Sequence, residues 1–172
     1  MARTRWHWLA DLVRREADRQ HATPAGENVE TRPALSDAVQ QLGWHADEII
    51  DGLAAVLATT PGKLRQPDPR TAREIDPHRL AVVLGVLLTQ RDDGVRAIAG
   101  AWLRCPAVAY HLPAITLERW LRQGGPGAAL FSGRIAAEGL ALLGPDALRR
   151  LAAAAADQET RAAAKRWVSR FG

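Results

Sequence analysis

Residues 76–90 read DPHRLAVVLGVLLTQ, and this stretch decides the fold class. Asp76 followed by Pro77 is typical of a helix start. An Asp side chain accepts hydrogen bonds from the first free backbone N–H groups, while proline lacks an N–H and has a φ angle suited to a helix. From Leu80 to Leu88 almost every position is apolar, so no polar face is left for solvent. The pattern predicts a central helix that is buried on all sides.

The sequence on both sides of this helix has the same helical character. Apolar residues recur every three or four positions, and the strictly alternating runs typical of strands are nearly absent. Ala and Leu are abundant, and both are good helix formers. Further helices are predicted near residues 5–20, 36–42, 47–58, 95–104, 117–123, 127–143, 146–156 and 157–171. We therefore expect an all-α fold, an irregular bundle of about eight helices.

The length of 172 residues suits one domain spanning residues 1–172. A sub-boundary can lie in the Pro-rich stretch 59–76. In the C-terminal half, Pro106, Pro126 and Pro145 are spaced by 20 and 19 residues, about half of a HEAT-type helix-pair repeat. The side chains after these prolines do not match one another, so HEAT-like pairs remain an alternative to the irregular bundle.

Composition excludes several classes of protein. Hydrophobic residues make up 47% of the chain, which is enough for a packed core. The single cysteine, Cys105, excludes an internal disulfide and a Cys-rich zinc site. The longest apolar run, residues 80–88, is far shorter than the roughly 20 residues of a membrane helix, and residues 1–16 lack the apolar core of a secretory signal. We expect a soluble, cytoplasmic protein without membrane contact.

The net charge of +4 hides two regions of opposite sign. Residues 27–58 contain six acids and one base, a balance of −5, so the rest of the chain carries +9. Arg accounts for 21 of the 23 basic residues. We expect the acidic residues Asp37, Asp47, Glu48 and Asp51 to contact a protein partner, and the basic remainder to meet a different one.

The basic residues are clustered along the chain. Arg binds phosphate well because its planar guanidinium is always charged and donates two parallel hydrogen bonds, and each phosphate contact adds affinity by counterion release. The alternatives are a solvated helix face and a genome-wide preference for Arg over Lys. The predicted nucleic-acid contacts are Arg14, Arg15, Arg19, Lys63, Arg65, Arg70, Arg73, Arg119, Arg122, Arg161, Lys165, Arg166 and Arg170.

The segment 61–70, PGKLRQPDPR, is predicted to be a long, irregular, cationic loop with little to bury. Long irregular connections in compact domains are usually functional or are linkers. Both interpretations stay open for this segment.

Six of the nine aromatic residues are Trp, a side chain that can stack on unpaired bases. Trp8, Trp102, Trp120 and Trp167 lie on apolar helix faces and are expected in the core. Trp6 and Trp44 lie at helix ends, and each is a candidate for an exposed contact.

No catalytic motif occurs in the sequence. His45 with Asp47, Glu48 and Asp51 is the one tight group of potential ligands, but Asp47 and Glu48 also suit the positive N-terminal end of their own helix. We expect a protein that is not an enzyme and needs no metal or other cofactor. A small hydrolase or regulator using His45 and these acids is the weakest alternative.

Size, helical pattern, Arg-rich faces and the absence of catalytic motifs together resemble the small all-helical subunit of multi-subunit CRISPR effector complexes. The resemblance covers the whole chain and includes no shared motif. It implies a non-catalytic role in antiviral defence. It also implies contact with the backbone of guide RNA, of the target strand, or of both, and with neighbouring protein subunits, including further copies of itself. The alternative is a HEAT-like protein-binding scaffold without nucleic acid.

Overall fold

The computed structural model describes residues 5–22, 34–124 and 126–172, and all regular secondary structure in these ranges is α-helical. None of the described helices is long and apolar enough to cross a bilayer. The helices are α1 (Arg5–Ala22), α2 (Ala34–Gln41), α3 (Ala46–Val56), α4 (Pro61–Arg65), α5 (Pro69–Glu74), α6 (Pro77–Leu88), α7 (Asp93–Arg104), α8 (Pro106–His111), α9 (Ala114–Gln123), α10 (Pro126–Leu143), α11 (Pro145–Ala154) and α12 (Gln158–Phe171).

The all-helical prediction is confirmed for these residues, although twelve helices replace the expected eight or so. Part of the excess comes from three short helices, α4, α5 and α8, of five, six and six residues. Each of the three begins at a proline, which fixes φ and lacks the N–H that a first helical turn leaves unpaired. Proline therefore begins helices at positions where the sequence suggested only interruptions.

The prediction of an irregular loop over residues 61–70 is wrong. Thr60 caps α4 by accepting a hydrogen bond from the backbone N–H of Lys63, and Asp68 caps α5 by accepting one from that of Arg70. Leu64 is fully buried, and its carbonyl oxygen accepts a hydrogen bond of 2.6 Å from the indole of Trp102 on α7. The segment is anchored because one short helix supplies an apolar side chain and an acceptor to the core.

The chain divides into two compact units, the first containing α1 to α8 and the second α9 to α12. The stretch 59–76 lies inside the first unit. A domain is a part of the chain that folds and unfolds as one unit, and compact packing alone does not establish this. The prediction of a single domain over residues 1–172 therefore stays a prediction.

Helix α6 is the centre of the first unit, as its sequence predicts. Every residue from Leu80 to Leu88 except Gly85 is buried. Helix α6 packs against α1 and α7 and also contacts α2 and α5. Asp76 caps it by accepting a hydrogen bond of 2.9 Å from the backbone N–H of Arg79. Apolar burial on all sides supplies most of the stability of such a helix.

The second unit is built around α10 and α12, which pack on each other and on α11, while α10 also packs on α9. Its core includes Leu117, Phe131, Leu148 and Leu151. Helices α11 and α12 follow each other with a short connection, and Asp157 caps α12 by accepting a hydrogen bond of 2.7 Å from the backbone N–H of Thr160. This packing places one face of α12 in solvent.

Candidate nucleic-acid interface

The cations of α1 are engaged largely by acids of the same helix. Arg14 forms an ion pair of 3.0 Å with Asp11, and Arg15 donates to the carbonyl oxygen of Asp11 at 3.4 Å. Arg19 contacts both carboxylate oxygens of the mostly buried Glu16, at 2.9 and 2.5 Å. The hydrogen bonds that Arg19 donates to Glu16 raise the pKa of Arg19 above its usual value. These pairs reduce the positive charge that α1 offers to a phosphate.

Helices α4 and α5 carry a second group of predicted contacts. Arg65 forms an ion pair with Asp47 of α3, so one predicted nucleic-acid residue meets one predicted protein-interface residue. Lys63, Arg70 and Arg73 are exposed, and no carboxylate of the described residues pairs with them. These three cations are free to meet an external anion.

Arg119 and Arg122 on α9 are only partly exposed. Both terminal nitrogens of Arg119 are shielded from solvent. A buried guanidinium cannot approach a nucleic-acid backbone without displacing its own surroundings. The structure therefore makes α9 the least accessible of the predicted basic clusters.

Helix α12 separates its predicted cations into two kinds. Arg161 binds the carbonyl oxygen of Ala155 through Nε at 3.0 Å and through Nη2 at 2.6 Å, so it caps the end of α11. Lys165, Arg166 and Arg170 are exposed, and none of the three has an ion-pair partner among the described residues. Their positive charge also complements the negative C-terminal end of the helix dipole.

An aromatic side chain supports Arg170, one of the exposed cations of α12. The guanidinium carbon of Arg170 lies 5.2 Å from the centre of the Trp167 ring, a cation–π distance. The indole of Trp167 donates a hydrogen bond of 2.7 Å to the carbonyl oxygen of Ile135, and Gly139 leaves the space that the ring occupies. Arg149 lies similarly, 5.4 Å from the ring centre of Phe171, and pairs with Asp146. Arg170 of α12 therefore lies over a ring that is itself held in place by a hydrogen bond.

The four predicted acidic residues differ in whether their carboxylates have partners within the protein. Asp37 and Asp51 are exposed and have no ion pair among the described residues, whereas Asp47 pairs with Arg65. Glu48 accepts a hydrogen bond of 3.3 Å from the backbone N–H of His45 and completes a capping box at the start of α3. Two of the four acids therefore have local structural partners.

The tryptophans do not all lie where the sequence predicts. Trp102 is fully buried, which confirms its core position, but the prediction for Trp8 is wrong because that side chain is 42% exposed. Trp120 and Trp167 are half-buried. Trp6 and Trp44 are also half-buried, and Trp44 contacts both Trp6 and Trp8 edge to face, with ring centres 5.5 and 6.3 Å apart. The sequence feature that reflects this cluster is the glycine at position 52 within α3. A Cβ at that position would overlap the ring of Trp6.

The residues around His45 show no ligand-like convergence. In the part of the chain that the structure describes, no three His, Cys, Asp or Glu side chains gather as they would around a metal ion. Comparison with protein families, with curated proteins and with solved structures finds no match to this chain. Function is therefore inferred from the geometry and charge of the surfaces.

Proposed function

We propose that this protein is a non-catalytic nucleic-acid-binding subunit of a ribonucleoprotein complex, which contacts the backbone of RNA or DNA through exposed cations. The observation that carries the proposal is the face of α12 with Lys165, Arg166 and Arg170, which are exposed and unpaired among the described residues. The role resembles that of the small subunit of CRISPR effector complexes, as size, helical pattern and charge suggest.

The chemistry of this face suits phosphate better than a carboxylate-bearing protein. Three cations within two helical turns repel one another, and an anion with regularly spaced charges relieves that repulsion. Trp167 beneath Arg170 restricts the guanidinium, so less side-chain entropy is lost when it binds. A backbone contact of this kind carries no sequence information, which fits a subunit that does not read bases.

A second set of contacts is proposed on the first unit. Lys63, Arg70 and Arg73 extend from α4 and α5, which are held in place by the burial of Leu64 and Ala72. Arg14, Arg19 and Arg65 are weaker candidates than Lys63, Arg70 and Arg73. Each of the three arginines forms an ion pair, so a phosphate must first compete with a carboxylate.

The proposal is tested by measuring the fluorescence anisotropy of a labelled single-stranded RNA, and separately of a DNA, against the full chain between about 50 and 200 mM salt. The logarithm of the association constant should fall linearly with the logarithm of the salt concentration. Arg166→Ala with Arg170→Ala should make the slope shallower by about 1.4, or about 0.7 for each lost contact to a single strand. The matched control is Arg14→Ala with Arg65→Ala, which removes the same charge from ion-paired positions and should change the slope much less.

Equal effects of the two double variants would show that net charge alone governs binding and would remove the assignment to α12. Absence of binding at low salt would remove the nucleic-acid proposal altogether. The remaining alternative is then a HEAT-like protein-binding scaffold. The exposed apolar side chains of Trp8 and Leu42 are the observation that favours this alternative.

A further inference from the structure

An aromatic surface of the first unit takes no part in the proposed nucleic-acid contacts. It consists of Trp8 on α1 together with Leu42 and Trp44 in the connection between α2 and α3, and we name it the tryptophan patch. Trp8 is 42% exposed and Leu42 is 50% exposed. Large apolar side chains gathered in solvent promote association, so a cluster of them usually marks a binding surface.

The tryptophan patch has a rigid foundation. Trp6 packs on Gly52 of α3, and its ring meets Trp44 at an interplanar angle of 80°. Trp44 in turn meets Trp8 at 84°. Edge-to-face contacts of this kind hold aromatic rings in defined positions. Trp44 also lines a groove that has Val39 and Ile49 on its apolar side and Gln40, His45, Gln90, Arg91 and Asp92 on its polar side.

Negative charge lies close to the patch along the chain. Residues 34–56, which form α2, α3 and their connection, contain Asp37, Asp47, Glu48 and Asp51 but neither Lys nor Arg. Asp37 and Asp51 are exposed without an ion-pair partner in the described residues. On α1, the pair of Asp11 and Arg14 adds no net charge, and Arg15 adds one positive charge. In the groove, Arg91 offsets Asp92.

The combination of tryptophan faces with free carboxylates identifies the chemistry of a partner. Carboxylates repel a nucleic-acid backbone, which disfavours base stacking on these rings. A guanidinium satisfies both features, because it stacks on an indole and donates to carboxylates at once. The same stacking occurs within this chain, where Arg170 lies over Trp167.

We propose that the tryptophan patch docks an arginine-containing segment of another protein, with the guanidinium over Trp8 or Trp44, its charge balanced by Asp37 and Asp51, and an apolar neighbour in the groove. The inference rests on the proposed function only in assigning protein contacts to the acidic residues. Its test leaves the cations of α12 unchanged, so the two proposals can fail separately.

The probe is a dye-labelled synthetic peptide of alternating Arg and Leu, titrated with the full chain while its anisotropy is measured. Trp8→Ala should weaken binding about fivefold to tenfold, which is the range of a partly desolvated cation–π contact. Asp37→Asn with Asp51→Asn should weaken it to a similar degree. Because Trp8 is exposed, its replacement should leave the circular dichroism spectrum unchanged. Tyr110→Ala is the matched control, since Tyr110 is 50% exposed in the same unit and should have no effect.

Matched peptides test the chemistry of the partner. Replacing each Arg by Lys should weaken binding several-fold, and replacing each Arg by Glu should abolish it. Binding of the Arg peptide that is unchanged by both the Trp8 and the Asp37/Asp51 variants would overturn the proposal. Two further results would also overturn the proposal. One is self-association of the chain that Trp8→Ala abolishes. The other is quenching of indole fluorescence by single-stranded RNA that is lost in the Trp8→Ala variant.

Discussion

Arg150 of α11 holds the carboxylate of Glu118 of α9 with two hydrogen bonds, from Nε to Oε1 at 2.7 Å and from Nη2 to Oε2 at 2.9 Å. The two residues are 32 positions apart in the chain. Glu118 is only 3% exposed, whereas Arg150 is 40% exposed. Donating these hydrogen bonds to Glu118 raises the pKa of Arg150. This pair joins the first and third helices of the second unit.

The first prediction concerns this pair. Arg150→Ala leaves a buried carboxylate without its partner, and breaking a fully buried ion pair costs about 3–5 kcal/mol. Because Arg150 is partly exposed and water can reach the site, we expect a loss of about 2 kcal/mol in the free energy of unfolding. Urea denaturation followed by circular dichroism measures it. Arg149→Ala is the control, since its exposed pair with Asp146 should contribute about 0.5 kcal/mol. Equal losses in the two variants would contradict the bidentate pair as a source of stability.

The second prediction concerns the contact between Gly52 and Trp6. Alanine usually stabilises a helix interior by up to about 1 kcal/mol over glycine, but at Gly52 the new methyl group overlaps the Trp6 ring. We expect Gly52→Ala to destabilise by about 1–3 kcal/mol and to shift the tryptophan emission spectrum to longer wavelength as Trp6 is displaced. Thermal denaturation and emission spectra provide the two measurements.

Two variants control for this effect. Gly133→Ala in α10, where a Cβ would meet nothing within 4 Å, should stabilise by about 0.5–1 kcal/mol. Adding Trp6→Ala to Gly52→Ala should make the alanine at 52 favourable again, because the overlap is gone. A Gly52→Ala protein as stable as the starting chain, with an unchanged emission spectrum, would show that Trp6 does not occupy this position.

The third prediction concerns the pH dependence of stability through Asp157. The hydrogen bond from the backbone N–H of Thr160 lowers the pKa of Asp157. A carboxyl group whose pKa is lower in the folded state stabilises above its unfolded pKa of about 3.9 and loses that contribution as the pH falls through the folded value. We expect the stability advantage over Asp157→Asn to be complete at pH 6 and to shrink below about pH 4. Denaturation series at several pH values measure it, and a pH-independent difference would contradict the assignment.

Local sequence signals predicted the helices well where a cap or an apolar pattern was strong. Asp76–Pro77 and the apolar run after it predicted both the start and the burial of α6. The same reasoning failed at 61–70, where three prolines suggested a loop. Two of them begin helices, and the isolated Leu64 gave no periodicity from which its burial could be inferred.

The sequence predicted the candidate sites as groups of charged residues. Tertiary packing exposes some members of each group and engages others in ion pairs or helix caps. Arg65 and Asp47 belonged to opposite predicted surfaces and form one ion pair. Arg161 caps a neighbouring helix, whereas Lys165 and Arg166 on the same helix remain exposed. Trp8 was expected in the core because it shares a helix face with apolar residues, yet it lies 42% exposed beside Trp44.

The sequence by itself determined that this protein is helical, where its main helices lie, and that its charges separate into an acidic segment and an Arg-rich remainder. These properties depend on side chains within about four residues of each other, and such neighbours are always visible in a sequence. Only the tertiary structure decided which cations are free and which tryptophans reach solvent. Contacts such as Arg150 with Glu118 join residues far apart in the chain, and they exist only because packed helices bring them together.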